Sequence, residues 1–333
     1  MVRTLQSHWP DTRLTWVIGK TEASLIGDIP GVEFIIFDKA TSWRAYRELH
    51  ACMRSRRFDV LMHMQVSLRA SVASLFIPAS VRLGFDRARS KDYQRFFVTD
   101  HISSNPRVHV LDSFFQFLEA LGVNERVLRW DIPISDSARA FCNQYLPKDR
   151  RILVINPSAS IRWRNWNAEG YAAVADHAAA NHNLQVVLTG GPSPFERELG
   201  QTIEKRCKSP PINLIGQTNL KQLLAVLERA DMMIAPDTGP AHMATAVGTP
   251  VIGLYAATNP ARAAPYLSQE WVVDKYAEAV RAEFGMDVAQ MPWGTRVRRA
   301  DVMNRISVHD VTERLDQLAG RSTKKRPGVL TGS

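Results

Sequence analysis

The residues best suited to do chemistry are Asp237-Thr-Gly-Pro-Ala-His242, which end the apolar stretch Met232–Ala235 and open a helical pattern from Ala241 to Val247. Such a sequence reads as a buried strand, a tight loop and a helix start. Asp237 falls at the strand end, Thr238 can cap the helix, Gly239 lets a ligand approach the backbone, and Pro240 suits the first helical turn. The free amides of a helix start, with the dipole behind them, favour a phosphate. His242, one turn in, is placed to donate to a diphosphate or sugar oxygen. The same residues also fit a plain strand–loop–helix in which Asp237 and Thr238 only cap.

A second cluster, Ile155-Asn-Pro-Ser-Ala-Ser-Ile-Arg-Trp-Arg-Asn-Trp166, joins hydroxyls, cations and indoles. Ser158 and Ser160 could bind phosphate oxygens while Arg164 neutralises charge on a departing diphosphate. Packing indoles, Trp163 and Trp166, with solvated arginines between them are the alternative. The Gly-rich turn Thr189-Gly-Gly-Pro-Ser-Pro-Phe-Glu196 does not spell GxGxxG, so a nicotinamide dinucleotide site is not supported. Further upstream, Met64-Gln-Val-Ser-Leu-Arg69 puts Arg69 on the first turns of a helix, and Gly84-Phe-Asp-Arg-Ala-Arg-Ser-Lys91 adds Arg87 and Arg89. Arginine forks suit phosphate and carboxylate partners, although a basic stretch also serves as a solvated face. No GxSxG elbow, HExxH or metal-ligand spacing occurs, and the scattered histidines are expected to be structural.

The elements that must position these residues alternate between strand-length apolar runs and helical patterns, the signature of βα units and a parallel sheet. Strands are predicted at Leu14–Ile18, Phe34–Phe37, Val60–Met64 and Arg82–Gly84, with helices at Ser42–Arg56, Leu68–Phe76 and His109–Leu121. Downstream, strands fall at Ile152–Ile155, Val186–Leu188, Asn213–Ile215, Met232–Ala235 and Val251–Leu254. Helices there are expected at Ala168–Asn181, Pro194–Arg206, Leu220–Ala230, Ala241–Val247 and Val308–Leu318. At roughly 150 residues per domain, 333 residues imply two domains. The polar connection from Trp130 through a weak helix to Arg151 places domains at 1–148 and 149–320, with 321–333 a flexible basic tail. The first readable strand, Leu14–Ile18, follows a helix, so the first sheet is expected to lack its opening strand.

The net charge of +9 is unevenly spread. Residues 44–95 carry 11 Lys/Arg against four acids, a local +7, while the second half is neutral once the tail is set aside. No aromatic-interleaved repeat or binding module accompanies this charge, which argues against nucleic acid as partner. Cys52, Cys142 and Cys207 stand far apart, which excludes a disulfide scaffold or zinc ribbon and fits a cytoplasmic setting. Ala70–Val81, the longest uncharged run near the basic window, is far short of the ~20 residues a spanning helix needs, so any membrane contact is expected to be peripheral.

Together, Asp237-Thr-Gly-Pro-Ala-His242, Ala246-Val-Gly-Thr-Pro250, Leu214-Ile-Gly-Gln-Thr-Asn-Leu220, Asn156-Pro-Ser-Ala-Ser160 and Arg164-Asn-Trp166 resemble the ADP-heptose:lipopolysaccharide heptosyltransferases, glycosyltransferases of the family-9 type. Tyr255-Ala-Ala-Thr-Asn-Pro260, Gln65-Val-Ser-Leu-Arg69 and Met291-Pro-Trp-Gly-Thr-Arg296 share the likeness. The resemblance implies an α/β protein of two Rossmann-like doubly wound domains in the GT-B arrangement. It implies inverting, metal-independent transfer of heptose from ADP-heptose, a donor substrate and not a cofactor, to the inner core of lipopolysaccharide.

The resemblance further places the nucleotide sugar at Asp237, Thr238, Gly239 and His242, with Ser160 and Arg164 at the phosphates; Pro240 and Ser158 join them as candidates on the local reading. It gives an anionic lipid-linked acceptor of the Kdo–lipid A type to Arg69, at the cytoplasmic face of the inner membrane, and the basic loop adds Arg87 and Arg89 as acceptor candidates. Family members usually carry Lys where Arg164 stands, and Phe-Gly-Pro-Thr-Asp-Pro where this chain has Tyr255–Pro260. Their general-base aspartate lies upstream of the point matching Met1, so no residue here inherits that role. A homologue that binds ADP-sugar without transfer and a GT-B-like sugar-nucleotide epimerase fit the same motifs.

Overall fold

The computed structural model describes residues 1–321 apart from Ser42 and Pro106. The chain forms two compact units, Met1–Pro133 and Ile134 onward. This division falls upstream of the expected boundary after Lys148, and the reason is a helix. The weak helical pattern there is a full helix, α6 in chain order, at Asp136–Tyr145, capped by Ser135 Oγ on the Ala138 amide. It packs on the second unit: the Cys142 thiol donates to the Ala225 carbonyl and Arg139 pairs with Glu228.

The first unit runs α1 (Val2–His8), β1 (Leu14–Ile18), α2 (Lys20–Ile26), β2 (Val32–Ile36), α3 (Trp43–Met53), β3 (Phe58–Met62), α4 (Leu68–Ser74), β4 (Ala79–Gly84), β5 (Asp100–His101) and α5 (Val110–Glu119). Its strands pair in parallel as two sheets, β1–β2 and β3–β4–β5. Among the described residues no strand bridges β1 and β3, the interval that a central strand occupies in a doubly wound sheet. Leu49, Met53, Ala73 and Ile77 fill one core, while Phe117 meets Phe85 edge-on at 5.1 Å beneath the other sheet.

The second unit follows α6 with β6 (Ile152–Ile155), α7 (Ala168–His182), β7 (Gln185–Leu188), α8 (Pro194–Arg206), β8 (Ile212–Asn213), α9 (Leu220–Arg229), β9 (Met232–Pro236) and α10 (Gly239–Ala246). It continues with β10 (Val251–Tyr255), α11 (Pro260–Ala263), β11 (Val273–Asp274), α12 (Tyr276–Phe284) and α13 (Val308–Arg321). The six strands form one parallel sheet in the order β11-β10-β9-β6-β7-β8. Counted within the unit this is 3-2-1-4-5-6 read from β8, the doubly wound order that reverses between its first and fourth strands. Every residue of β6, β9 and β10 is buried, as expected of strands covered on both faces.

Helix limits follow local chemistry. Ser193 caps α8 and Pro194 opens it, whereas Asn219 and Gln222 form a reciprocal capping box on α9. Arg321, assigned from sequence to the tail, is instead the last described residue of α13: its guanidinium reaches Glu270 at 3.2 Å and lies over Trp271. The remainder of the expected tail, 322–333, lies outside the described residues.

Candidate functional site

β6 is hydrogen-bonded to β7 on one side and β9 on the other, so the loops leaving the ends of β6 and β9 flank the point where strand order reverses. Ligands of open α/β sheets bind at such a point, because the diverging connections leave a crevice there. Ser158, Ser160 and Arg164 lie on the first loop and Asp237 to His242 on the second, so the fold brings both sequence clusters together. Arg164 Nη1 stands 3.1 Å from Asp237 Oδ2 and donates to the Asp237 carbonyl at 3.3 Å. Both side chains are largely buried, 13% and 14% exposed.

The first loop is shaped by its own polar residues. Asn156 Nδ2 donates to the Ser158 carbonyl at 2.7 Å, and the Ala159 amide donates to Asn165 Oδ1 at 2.7 Å. Trp166 is a packing residue: its ring is buried edge-on against Tyr171, and its Nε1–H donates to the Ile306 carbonyl at 3.0 Å. Gly170 is required beneath it, since a Cβ there would stand 2.5 Å from the indole. Trp163 is half-buried under the Arg164 guanidinium at 5.2 Å. That contact helps hold the cation in position.

Two sequence expectations change. The Ser158 hydroxyl, expected at a phosphate, donates to Glu196 Oε1 at 2.8 Å, while Ser160 is exposed on the same loop. Glu196 also accepts from the Gly191 amide at 2.9 Å and the Ser193 hydroxyl at 2.7 Å. Burial alone would raise its pKa, but these donors hold it below the ordinary carboxylate value. The Gly-rich turn is therefore tied to the first loop through one ionised carboxylate that sequence reasoning did not single out. Thr238 sits at the N-cap of α10 without a side-chain cap bond, so its hydroxyl does not fulfil the expected capping role. Pro240 opens the helix as expected, and both Gly239, where a Cβ would meet open space, and His242 are exposed at the helix start.

The structure gathers quoted segments with Arg262 and Ala263, which the sequence reading missed. Asp237, Thr258, Asn259, Arg262, Ala263, Gly294, Thr295 and Arg296 line a small pocket open to solvent. An antiparallel bridge between Thr258 and Arg296, continued by the Val297 amide on the Ala257 carbonyl at 3.0 Å, joins segments far apart in the chain. Asn259 caps α11 through the Ala261 amide and so aims Arg262. Burial pushes the Arg262 guanidinium below its ordinary pKa; Arg296 and Arg164 add to this and Asp237 opposes it. Three guanidinium groups thus act on a region with one lining carboxylate, Asp237, itself paired to Arg164. A net positive, partly desolvated pocket beside a helix N-terminus stabilises an anion of two or more charges. The only sequence signal for Arg262 was its position after an Asn-Pro helix start, which fixes a backbone turn and says nothing of burial.

In the first unit the basic window proves heterogeneous. Arg69 and Arg87 are exposed, as an acceptor-binding role requires. Arg89 is not: its Nε donates to Asp86 Oδ1 at 2.8 Å, Nη1 to Gln116 Oε1, and Nη2 to the Ser103 carbonyl at 2.7 Å. Its fork is used up within the fold. Arg82 likewise donates to the carbonyls of Phe97, Ile77 and Ser74, and Arg56 and Arg44 pair with Glu33 and Glu48. Only part of the local +7 is therefore available to a partner.

Among the described residues no helix is long and apolar enough to cross a membrane. Residues 46–292 match the family model described as glycosyltransferase family 9 (heptosyltransferase). The lipopolysaccharide core heptosyltransferase OpsX of Haemophilus influenzae is 39% identical over 318 residues, 96% of this chain and 91% of the relative. Lipopolysaccharide heptosyltransferase 3 of Escherichia coli is 23% identical over 78% of both chains. Among solved structures, a family 9 glycosyltransferase from Veillonella parvula superposes with a TM-score of 0.79 at 21% identity, covering 96% of this chain and 92% of that one. E. coli heptosyltransferase WaaC with ADP gives a TM-score of 0.69 at 15% identity, covering 95% and 93%. These likenesses carry the fold, two Rossmann-like units of the GT-B class.

Proposed function

The chain belongs to glycosyltransferase family 9, the heptosyltransferases, and on that premise we propose that it transfers heptose from ADP-heptose to the inner core of lipopolysaccharide, with inversion at the anomeric carbon. The observation that carries this reading is the cationic pocket at the sheet's reversal point, where Arg164, Arg262 and Arg296 surround Asp237 beside the start of α10. ADP is a good leaving group only if the charge that grows on its β-phosphate is met by groups already in place. Arg164 and the α10 amides meet that charge, and Arg262 and Arg296 deepen the field. Fixed guanidinium groups supply positive charge that a divalent ion would otherwise bring, which supports metal-independent transfer.

Asp237, its carboxylate turned toward Arg164, and His242 face the sugar side of the donor, and Ser160 lies at the edge of the phosphate site. The anionic acceptor, a lipid-linked saccharide bearing Kdo carboxylates and phosphates, is met by Arg69 and Arg87 on the first unit. Those exposed forks make paired bonds to carboxylate or phosphate. An acceptor anchored in lipid places the protein at the cytoplasmic face of the inner membrane as a peripheral partner. Deprotonation of the acceptor hydroxyl is assigned to none of these residues. Transfer is favoured over donor binding alone and over epimerisation by the 39% identity, across 96% of the chain, to a relative named as a core heptosyltransferase.

The test is incubation of the protein with ADP-heptose and a Kdo-bearing lipid A acceptor, followed by mass spectrometry of the lipid. A product heavier by one heptose, formed only with both substrates, is expected. ADP binding without product, or conversion of donor with no acceptor present, would overturn the assignment in favour of the non-catalytic or epimerase reading respectively.

A further inference from the structure

The second unit carries a side-chain cluster at the end of its sheet opposite the donor pocket. Helix α7 starts after the loop leaving β6 and ends at His182, just before β7 begins, so its last turn lies at the far end from Asp237. Here α7 packs along α13 through a shared apolar core of Val174, Ala178, Val311, Leu315 and Leu318. On the solvent side of that seam His177 Nε2 and His182 Nε2 each stand 2.6 Å from the same oxygen, Asp316 Oδ1. The three potential donor atoms lie within 4.8 Å of one another. The imidazoles are about three-quarters buried, 24% and 22% exposed, and Asp316 is half-exposed, so the cluster is preformed yet open on one side.

We propose that His177, His182 and Asp316 form a binding site for a divalent transition ion of the zinc type, with water completing the coordination. Two imidazoles and a carboxylate are a donor set that such ions prefer and that magnesium or calcium, which take oxygen ligands, do not. In a tetrahedral site with bonds of about 2.0–2.1 Å the donor atoms stand about 3.3 Å apart. The two 2.6 Å contacts need open by only ~0.7 Å, which small side-chain rotations toward solvent supply. Asn181 lies beside the same ring, its amide 3.0 Å from His177 Nδ1 and 3.4 Å from Nε2.

Without an ion, His177 Nε2 and His182 Nε2 donate to Asp316 and hold its pKa below the ordinary value although burial alone would raise it; a bound ion takes the place of these donors. Because the cluster is remote from the pocket, the ion's part is mechanical: it clips α13 to α7 across 134 residues of chain. Sequence reasoning expected these histidines to be structural without a metal, since Asp316 is brought in from far along the chain.

The experiment uses the chain after chelator treatment, titrated with Zn²⁺ by calorimetry and with Co²⁺ by visible absorption, alongside thermal unfolding with and without Zn²⁺. Expected are one saturating equivalent, the intense visible bands of tetrahedral Co²⁺, and a higher Tm with Zn²⁺ but not with Mg²⁺. His182→Ala and Asp316→Asn should each weaken binding by at least about 10-fold and abolish the Tm gain. The unfolding transition in chelator shows whether each variant folds, and either variant alone suffices. Absence of saturable binding, or binding unchanged in the folded variants, would overturn the site.

Discussion

Replacing Arg164 with alanine tests the donor site most directly. In the free protein its guanidinium is held by Asp237 at 3.1 Å and by Trp163. At an effective dielectric of about 20, two unit charges at that distance interact by about 5 kcal/mol before desolvation is counted. Removing it does two things. It deletes a preorganised donor to the leaving diphosphate, a loss of about 3–4 kcal/mol, or 10²–10³ in kcat. It also leaves Asp237, only 14% exposed, as an uncompensated negative charge facing an anionic ligand. Because Arg262 and Arg296 remain in the field, ADP affinity should fall by only about 10-fold, roughly 1.4 kcal/mol. The signature is therefore a kcat loss that exceeds the loss of ADP binding, since the charge is largest in the transition state. ADP release in the presence of acceptor measures the first and calorimetry with ADP the second. Arg164→Lys, which keeps the charge, should stay within about tenfold of the wild type. Adding Asp237→Asn to Arg164→Ala should recover part of the lost ADP affinity. If Arg164→Ala kept kcat within a few-fold of the wild type, the assignment of leaving-group stabilisation to this residue would be refuted.

Arg262→Ala should weaken ADP binding by about 10-fold while shifting kcat less than Arg164→Ala does, because Arg262 adds to the field without reaching the ion pair; ADP calorimetry and steady-state kinetics read both. In the first unit Arg69→Ala and Arg87→Ala should raise the acceptor KM and leave ADP affinity unchanged. Arg89→Ala should instead lower stability by about 3 kcal/mol, seen in urea unfolding, because it strands the buried Asp86 carboxylate. Buried His63, bonded to Ser71 Oγ at 3.2 Å, has its pKa lowered from 6.5 to about 4, first by burial and then by Arg82. A depressed histidine pKa means the unfolded chain binds more protons, so this stabilisation is present above pH 6.5 and is lost as pH falls toward 4, by on the order of 3 kcal/mol. Urea midpoints of wild type and His63→Gln between pH 7 and 4.5 should converge as the pH falls; parallel curves would contradict it.

Where sequence and structure agree, the signal was local. Strands Leu14–Ile18 and Ile152–Ile155 and helix Pro194–Arg206 are observed with the expected limits, since apolar runs and a Ser-Pro start act within a few residues. Helix α2 escaped notice because it buries no residue and so carries no apolar stripe. The two-residue strands β5 and β11 are too short for any pattern to mark and exist by pairing to β4 and β10, whereas β8, expected at Asn213–Ile215, is observed at Ile212–Asn213. α6 showed only a weak pattern because its buried contacts, Ala138 and Cys142, are few, yet those contacts decide which unit it joins.

By itself the sequence determined the βα alternation, the strand–loop–helix at Asp237–His242, the cationic loop at Arg164 and the membership of family 9. Each of these depends on residues within a turn or two of one another, or on motif identity. Only the tertiary structure decided which polar groups are available to a ligand. Ser158 is taken by Glu196 and Arg89 by Asp86, Gln116 and Ser103, while Arg262 and Arg296 are gathered at Asp237 across a bridge between distant segments. Charge can be counted along a chain. Its pairing and desolvation, which set whether a cation holds the fold or a phosphate, depend on partners that packing brings from far away.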